Sequence, residues 1–349
     1  MSIDNVMKSR NGATQYGMSL IEVLVGLVIG LIGVLVIFQT MAVWGERTAT
    51  TVSGGDSRTS GAIGMHYLEQ DLAQGGLGFG RTNFPGKQFV PGCDVIAASG
   101  NFRLAAVDIN DGASGAPDTV TVLYGGVPDT VLDSSGSLIP NPNPNVDFSD
   151  VALFREDKEV AGNFYSYQGR ALIKDDWVVL ARQNGDCELM KVSSNNKTLN
   201  LITFTTAPTK VTSGNLLYLG GQPQRATWSI SGNALLRTES RFTATISTIS
   251  DGVVDIQAQY GLADGTWQSN DPTDWSQVRA VKVALLVRSK QFEKTNVTTA
   301  NPVWHLGDGT SADFVMANLG DGTDWHRYRY EVFERTIPLR NLIWGAQQP

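Results

Sequence analysis

An uninterrupted apolar stretch near the start of the sequence constrains the fold most. Residues 18–38 contain a single charged side chain, Glu22. At about 1.5 Å per residue, a helix of this length spans about 31 Å, the thickness of the hydrocarbon core of a bilayer. The apolar core of a cleaved secretory signal has only about 7–15 residues, so this stretch favours a membrane-spanning helix over a standard signal peptide.

The charges around this stretch predict its orientation. Lys8 and Arg10 lie in the short polar segment ahead of it. Positive charge on the leading flank keeps that flank in the cytoplasm, so everything after Trp44 is expected outside the inner membrane. In an oxidising compartment we expect the two cysteines, Cys93 and Cys187, to form a disulfide. The alternative is a pair of free, buried thiols.

Glu22 is unusual for an apolar helix. An ionised carboxylate costs about 2.5–3.5 kcal/mol near the centre of a bilayer and less near its interface. The side chain either reaches the interface or lies at a helix N-terminus, where the macrodipole stabilises an acid. A third interpretation comes from the residues that precede it.

Residues 17–22, Gly-Met-Ser-Leu-Ile-Glu, with the apolar run behind them, resemble the processing site of type IV prepilins. The resemblance implies cleavage between Gly17 and Met18 by prepilin peptidase, N-methylation of Met18, and Glu22 as the fifth residue of the mature chain. The family usually has Phe where this chain has Met18, another apolar residue. The new α-amine, of the same chain or of a neighbouring subunit, would neutralise Glu22 in lipid and align helices during assembly.

Three glycines follow within the apolar stretch. Gly26, Gly30 and Gly33 are spaced four and three residues apart, which places them on one stripe of a helix. Stripes of small residues let helices approach closely in membranes, so we assign these glycines to assembly. The alternative is that glycine is simply common in membrane helices.

The helix is predicted to continue beyond the membrane. Ile63, Tyr67, Leu68 and Leu72 recur at helical spacing and indicate an amphipathic stretch. The Gly-Gly pair at 75–76 is expected to end it.

The rest of the chain is predicted to form short strands separated by turns. The predicted strands are 120–124, 151–155, 177–182, 199–204, 216–219, 226–230, 234–237 and 253–260. The predicted turns are 133–136, 184–186 and 193–197, and the Pro/Asn stretch 139–146 is predicted as a loop.

Two later strands have the clearest pattern. In residues 278–289, the side chains of 281, 283, 285 and 287 point one way and those of 282, 284, 286 and 288 the other. Residues 328–337 have the same period and are followed by Leu-Arg-Asn at 339–341. These strands, together with the leucine-and-acid helix end at 67–80, resemble PilW-type minor pilins and, more distantly, the J-type pseudopilins of type II secretion.

The resemblance implies an α+β, type IV pilin-like fold. A long N-terminal helix, transmembrane in its first half, would pack against a β-rich head of antiparallel sheets. The expected organisation is a cleaved cytoplasmic leader at 1–17, a transmembrane assembly helix at 18–44, its amphipathic continuation at 45–78, and a periplasmic or extracellular head at 79–349.

Composition and motifs exclude several classes of function. The chain has 27 basic and 34 acidic residues, a net charge of −7 and a pI near 5.0, which disfavours nucleic acid as a partner. It contains no G-x-S-x-G, no H-E-x-x-H and no P-loop. We therefore assign no catalytic residue and no cofactor.

An Asp-Gly motif recurs late in the sequence. LGDGT occurs at 306–310 and again at 319–323, and 262–267 reads LADGTW. Asp-Gly favours tight turns, which is the simplest interpretation. The alternative is a calcium site, because four nearby carboxylates offer the oxygen ligands that Ca²⁺ prefers, although EF-hand spacing is absent. The calcium candidates are Asp308, Asp313, Asp321 and Asp324, and His305 and His326 flank them.

Resemblance to PilW-type proteins implies a minor pilin that primes type IV pilus assembly within a tip complex. Implied partners are other minor pilins, the major pilin, a large tip adhesin, prepilin peptidase and the inner membrane of a Gram-negative bacterium. The implied location is first that membrane and later the pilus tip. The alternatives are a J-type pseudopilin and a signal-anchored periplasmic enzyme or carbohydrate-binding protein.

Overall fold

The computed structural model describes a defined part of the chain. The described residues are 19–77, 92–96, 102–125, 130–132, 138–140, 152–154, 163–165, 174–182, 187–196, 201–206, 214–221, 223–240, 244–319 and 324–346. Gly17, Met18 and Asp321 lie outside them, as do the turns predicted at 133–136 and 184–186.

The chain divides into two compact units, Met1–Val52 and Ser53–Pro349. Helix α1 spans Leu20–Gln74, so both helical segments expected from the sequence belong to one helix. It ends before Gly75, as predicted, and Gly76 has a φ of 78°, a left-handed conformation that glycine adopts without strain. The Gly76 amide then donates to the carbonyl of Leu123 (2.9 Å), which turns the chain onto the sheet.

The described part of the second unit contains many short strands. They are β1 (Asp94–Ile96), β2 (Phe102–Arg103), β3 (Val107–Asn110), β4 (Thr119–Tyr124), β5 (Thr130–Leu132), β6 (Leu138–Pro140), β7 (Ala152–Phe154), β8 (Asn163–Tyr165), β9 (Trp177–Arg182), β10 (Cys187–Asn196), β11 (Leu201–Phe204), β12 (Gly214–Gly220), β13 (Gln224–Ser231), β14 (Ala234–Ser240), β15 (Ala244–Asp251), β16 (Val253–Leu262), β17 (Trp267–Gln268), β18 (Val278–Arg288), β19 (Val303–His305), β20 (Ser311–Asp313) and β21 (Tyr330–Pro338). Short 3₁₀ helices lie at Ala113–Gly115, Trp275–Gln277, Met316–Leu319 and Asp324–Arg327, and helix α2 spans Arg340–Ala346.

These strands form three larger sheets and two ribbons. One sheet has the order β2-β1-β10-β9-β12-β7, with β11 beside β10 and β8 beside β11. The second has the order β15-β14-β13-β4-β3, and the third β17-β16-β18-β21. The ribbons are β19-β20 and β5-β6. Within the described residues β1 and β10 run parallel, and the other pairs run antiparallel. The expected α+β class, a long apolar helix followed by antiparallel sheets, is therefore confirmed.

Strand β18 divides the core into two layers. Val281, Val283, Leu285 and Val287 are fully buried in the main cluster, which also contains Leu68 of α1. On the opposite face, Ala284 and Leu286 pack in a second cluster with Trp304, Phe314 and Met316. The alternation predicted from the sequence is correct, and the second layer explains why Leu286 is apolar.

Some predicted elements are corrected. The turn predicted at 193–197 is wrong for residues 193–196, which continue β10. The hydroxyls of Ser193 and Ser194 lie 2.7 and 2.6 Å from the hydroxyl of Thr203 in β11. Side chains that favour turns here form hydrogen bonds across a strand pair. The loop predicted at 139–146 is likewise wrong for Ile139 and Pro140, which belong to β6.

The buried face of α1 also differs from the predicted one. Leu68 and Leu72 are fully buried as expected, but Ile63 is 42% and Tyr67 49% exposed. The buried stripe instead passes through small residues, Ser57, Gly61 and Gly64. Because glycine has no apolar side chain, the sequence pattern did not mark these positions. The buried face was therefore predicted at the larger neighbouring side chains.

Candidate assembly site

The first part of α1 is apolar and uncovered. Leu20–Met41 comprises 22 residues with a mean hydropathy of 3.0, and none of its most apolar window is buried. Leu20 and Ile21 are 81% and 70% exposed. Within the described residues, this is the helix whose length and composition fit a membrane span. An apolar surface of this extent requires lipid or other helices around it.

Glu22 lies in the first turn of α1. The carbonyl of Ser19 accepts hydrogen bonds from the amides of Glu22 (2.9 Å) and Val23 (3.2 Å). Ser19 and Glu22 thus have the Ser-x-x-Glu spacing of a capping box, and the carboxylate lies at the positive end of the helix dipole. This geometry supports the interpretation that Glu22 stabilises the helix start, and neutralisation by an α-amine stays a prediction.

The glycine stripe of the apolar segment is open. A Cβ atom placed on Gly26, Gly30 or Gly33 would have no neighbouring atom within 4 Å. These positions therefore offer space for a close approach by another helix. Their role in assembly stays a prediction.

The glycines further along α1 are packed against the sheets. A Cβ atom on Gly61 would collide with the ring of Phe333 in β21. One on Gly64 would lie 3.1 Å from a side-chain carbon of Leu235 in β14. The absence of side chains at these two positions lets the helix axis approach both sheets closely.

A buried charged cluster holds the C-terminal end of α1. Asp71, only 7% exposed, accepts hydrogen bonds from Nε1 of Trp228 (3.0 Å), from Nε of Arg237 (2.7 Å) and from the hydroxyl of Tyr124 (3.2 Å). Nη1 of Arg237 also donates to Glu239 (3.3 Å). The partners of Asp71 come from β4, β13 and β14, so one helical carboxylate ties three adjacent strands to the helix.

The electrostatics of this cluster follow from burial. Burial raises the pKa of the Tyr124 hydroxyl to about 12, and the nearby Asp71 charge adds to the shift. Burial by itself would lower the pKa of Arg237. The hydrogen bond and the charge of Asp71 outweigh this effect, so the pKa of Arg237 lies above its usual value. Asp71 and Arg237 therefore form a charged, partly desolvated pair with most of its hydrogen-bonding capacity satisfied.

Side-chain contacts fix the direction of α1 relative to β21. Arg58 pairs with Glu331 (3.1 Å) near the start of the strand. Further along, the side-chain amide of Asn341 donates to the carbonyls of Gln74 (3.2 Å) and Gly75 (3.1 Å). Helix and strand therefore run in the same direction, and the Leu-Arg-Asn segment noted in the sequence caps the helix end.

The two cysteines form a disulfide, as expected. Cys93 and Cys187 are bonded, with their Cα atoms 6.1 Å apart. The bond lies in a small buried cluster with Val95, Leu104 and Val179. It joins the start of β10 to the residue just before β1, beside the parallel pairing of Val95 with Cys187.

Two further acids, Asp118 and Asp255, are almost fully buried. Asp118 accepts from the backbone amides of Gly112 (2.9 Å) and Ala258 (2.7 Å). Oδ1 of Asp255 accepts from the side-chain amide of Gln257 (3.0 Å), but its Oδ2 is buried without a hydrogen-bond partner among the described residues. Burial raises the pKa of both Asp118 and Asp255 to about 7.

We expect Asp255→Asn to flatten the pH dependence of stability. The folded protein binds the Asp255 proton more tightly than the unfolded chain, so this stabilisation is complete below about pH 4 and is lost as pH rises towards 7. Between about pH 5 and pH 8 the unfolding free energy of the wild type should fall by about 2–3 kcal/mol more than that of the variant. Urea unfolding of the full chain across that range measures it.

The matched control is Asp264→Asn. Asp264 is exposed, and hydrogen bonds from Thr266 lower its pKa, so it does not titrate in this range. Its replacement should leave the decline intact. An Asp255 variant with the full wild-type decline would show that this carboxyl does not titrate near neutral pH.

The Asp-Gly motifs form turns. In the 306–310 segment, between β19 and β20, Asp308 accepts from the amide (2.9 Å) and hydroxyl (2.7 Å) of Thr310. Asp264 makes the same two bonds with Thr266 between β16 and β17. The turn interpretation is therefore confirmed for both copies. The third copy lies largely outside the described residues.

The calcium candidates do not converge in the described part of the chain. It contains no group of three or more His, Cys, Asp or Glu side chains that could hold a metal ion. The carboxylate of Asp308 is engaged in its own turn, and Nδ1 of His305 lies 3.1 Å from Glu334. The ring of His326 stacks on Trp325 and contacts the carbonyl of Thr298 (2.7 Å).

The Asp71 cluster was missed at the sequence level, although one signal was present. Asp71 lies between the buried Leu68 and Leu72, on the inner stripe of an otherwise amphipathic helix. An acid at such a position requires a buried cation or several donors. The partners Tyr124 and Arg237 are 53 and 166 residues away in the chain, and no local pattern identifies them.

Comparison with known proteins finds a match to one family over about a third of the chain. Residues 227–341, from β13 to the start of α2, match the family model of the type IV pilus-assembly protein W, PilW. No curated protein matches the chain. A type IV-like pilin from Thermus thermophilus is 13% identical, with a TM-score of 0.21, over 49% of this chain and 87% of that chain. The family match confirms the predicted resemblance to PilW and supports a type IV pilus-related pilin role.

Proposed function

We propose that this protein is a minor pilin that helps to prime type IV pilus assembly, within a complex at the pilus tip. The observation that carries the proposal is the uncovered apolar segment Leu20–Met41, which has Glu22 in its first turn. The same helix continues into the part that packs on the sheets. The match of residues 227–341 to PilW supports it. Prepilin peptidase would cut after Gly17, and Met18 would be N-methylated.

The apolar segment suits the protein to two successive locations, first the inner membrane and then the pilus. In the inner membrane, lipid covers its side chains. In a pilus, neighbouring helices replace the lipid, and the open stripe of Gly26, Gly30 and Gly33 lets them approach closely. Priming then means that a few such helices form a bundle to which the major pilin adds, so the first unfavourable step of nucleation is avoided.

Charge pairing sets the register of that bundle. A carboxylate near the centre of a bilayer costs about 2.5–3.5 kcal/mol unless it finds a partner. The α-amine created by cleavage on a neighbouring subunit supplies one for Glu22. The exposed Ile63 and Tyr67, on the outer face of α1, extend the surface offered to neighbouring pilins.

We expect Glu22→Ala to abolish assembly while leaving the head folded. The substitution removes the charge that pairs with a neighbouring amine, and it lies far in sequence from every head contact. In a strain deleted for this gene, the variant should restore no more pili than an empty vector, measured by electron microscopy and sheared-fibre yield. Glu69→Ala, another acid of the same helix whose pair with Arg335 is exposed, is the control and should restore piliation.

Full piliation by the Glu22 variant would contradict the proposed role of the carboxylate. The same strains separate the alternatives by mass spectrometry of the native N-terminus. A methylated Met18 supports pilin processing, whereas a chain that keeps residues 1–17 indicates a plain signal anchor. Loss of protein secretion with normal pili in the deletion strain would indicate a J-type pseudopilin.

A further inference from the structure

A concentrated basic region occurs in this acidic chain. Residues 288–294 and 326–329, here called the basic–aromatic patch, carry five Lys or Arg side chains and one acid, Glu293. Their formal net charge is +4, against −7 for the whole chain. Glu293 is buried and accepts from Nε of Arg329 (3.1 Å), so the one carboxylate of the patch does not face solvent.

Cations and rings alternate across this patch. The guanidinium of Arg288 lies 4.1 Å from the ring centre of Tyr328. The Tyr328 ring lies 5.3 Å from that of Phe292, and the guanidinium of Arg327 lies 5.2 Å from Phe292. Phe292 is 42% exposed, and Lys290 and Lys294 are exposed. Positive charge and aromatic surface are therefore presented together.

The two segments of the patch are fixed to each other by hydrogen bonds. The amide of Ser289 donates to the carbonyl of Arg329 (2.8 Å), and the amide of Glu293 donates to that of Arg327 (2.8 Å). The hydroxyl of Thr298 donates to the carbonyl of Tyr328 (2.6 Å). The patch is thus a defined surface of the fold.

The patch lies at the end of its unit where the chain enters. Glu331, two residues after Arg329, pairs with Arg58 near the start of the helical part of this unit. Arg288, at the end of β18, lies opposite Tyr330, at the start of β21, at the same end of the sheet. Residues 42–52 separate this unit from the end of the apolar span at Met41.

We propose that the basic–aromatic patch binds the anionic phospholipid headgroups of the membrane in which α1 is anchored, before the protein enters a pilus. The proposal rests on the membrane anchorage of the proposed function. Guanidinium groups bind phosphate through paired hydrogen bonds, and aromatic rings favour the headgroup region. The rest of the unit is acidic and is repelled by the same surface, so binding through the patch fixes which side of the head faces the membrane.

The test uses the full chain inserted in nanodiscs of phosphatidylglycerol or of phosphatidylcholine. Hydrogen exchange of residues 288–298 and 326–330 should be slower in the anionic discs. In about 1 M salt, where the Debye length is about 3 Å, the difference should disappear. Lys290→Gln combined with Lys294→Gln should weaken the contact roughly 25-fold, about fivefold for each charge removed. Lys174→Gln combined with Arg340→Gln removes the same charge outside the patch and should preserve the protection.

Each contrary result has a definite meaning. Equal exchange in the two kinds of disc overturns the proposal, and so does loss of protection in the control variant. Protection of the patch by soluble glycerol phosphate in neutral discs would assign it to free anions and overturn the membrane assignment. Exchange in β16 and β18 reports whether the variants stay folded. Because this experiment needs only inserted protein, its failure leaves the pilus role standing, and failure of the Glu22 experiment does not affect it.

Discussion

Replacing Asp71 by alanine is expected to lower the unfolding free energy by about 3–5 kcal/mol, because it leaves the cation of Arg237 partly buried without its main partner. The indole N–H of Trp228, which is fully buried, and the hydroxyl of Tyr124 lose an acceptor in the same step. Urea unfolding of the full chain in detergent, followed by tryptophan fluorescence, measures the loss.

The matched control is Glu69→Ala, two residues earlier on the same helix. Glu69 also pairs with an arginine, Arg335, at 3.5 Å, but both side chains are at least 40% exposed. Exposed pairs contribute about 0–1 kcal/mol, so this variant should stay close to wild type. Equal effects of the two substitutions would show that the Asp71 cluster contributes no more than a surface ion pair.

Removing the disulfide by Cys93→Ala together with Cys187→Ala is expected to destabilise the protein by about 4 kcal/mol. The bonded residues are 94 positions apart. In the chain-entropy model, closing a loop of about 100 residues raises the free energy of the unfolded chain by up to about 4.7 kcal/mol. Because both sulfurs are buried in a small apolar cluster, two alanines also leave space that the surroundings fill only in part.

Reductant supplies an independent check of the disulfide. Unfolding of the wild type in the presence of dithiothreitol should approach that of the double alanine variant, whereas the variant itself should not respond. Thiol labelling of unreduced, unfolded wild type should find no free cysteine. Equal labelling with and without reductant would show that the bond does not form in the native protein.

Several features of the fold could be predicted because the signals are local. The Gly-Gly pair ends α1 where expected, since glycine alone adopts the left-handed conformation of Gly76 without strain. The alternating side chains of β18 identified both faces of that strand, because the period of a strand is fixed by its backbone. The cysteine pairing was the one pairing available to two cysteines.

Other features could not be predicted because they depend on partners distant in sequence. Ile63 and Tyr67 are apolar and correctly spaced, yet the sheets pack against the neighbouring stripe that contains Gly61 and Gly64. Which stripe of a helix is buried depends on the shape of the surface it meets. The donors to Asp71 come from three strands, and their convergence is a property of sheet order, which local periodicity does not contain.

The contacts between α1 and β21 determine when this chain can finish folding. Arg58 and Glu331 are separated by 273 residues, and Asn341 and Gln74 by 267. Contacts of such long sequence separation form slowly, because the intervening chain must first be brought together. During synthesis the face of the helix around Gly61, which packs against Phe333 of β21, stays exposed to water until this last strand has been made. The nascent head therefore keeps part of its apolar surface exposed until synthesis is nearly complete, and such exposure favours aggregation.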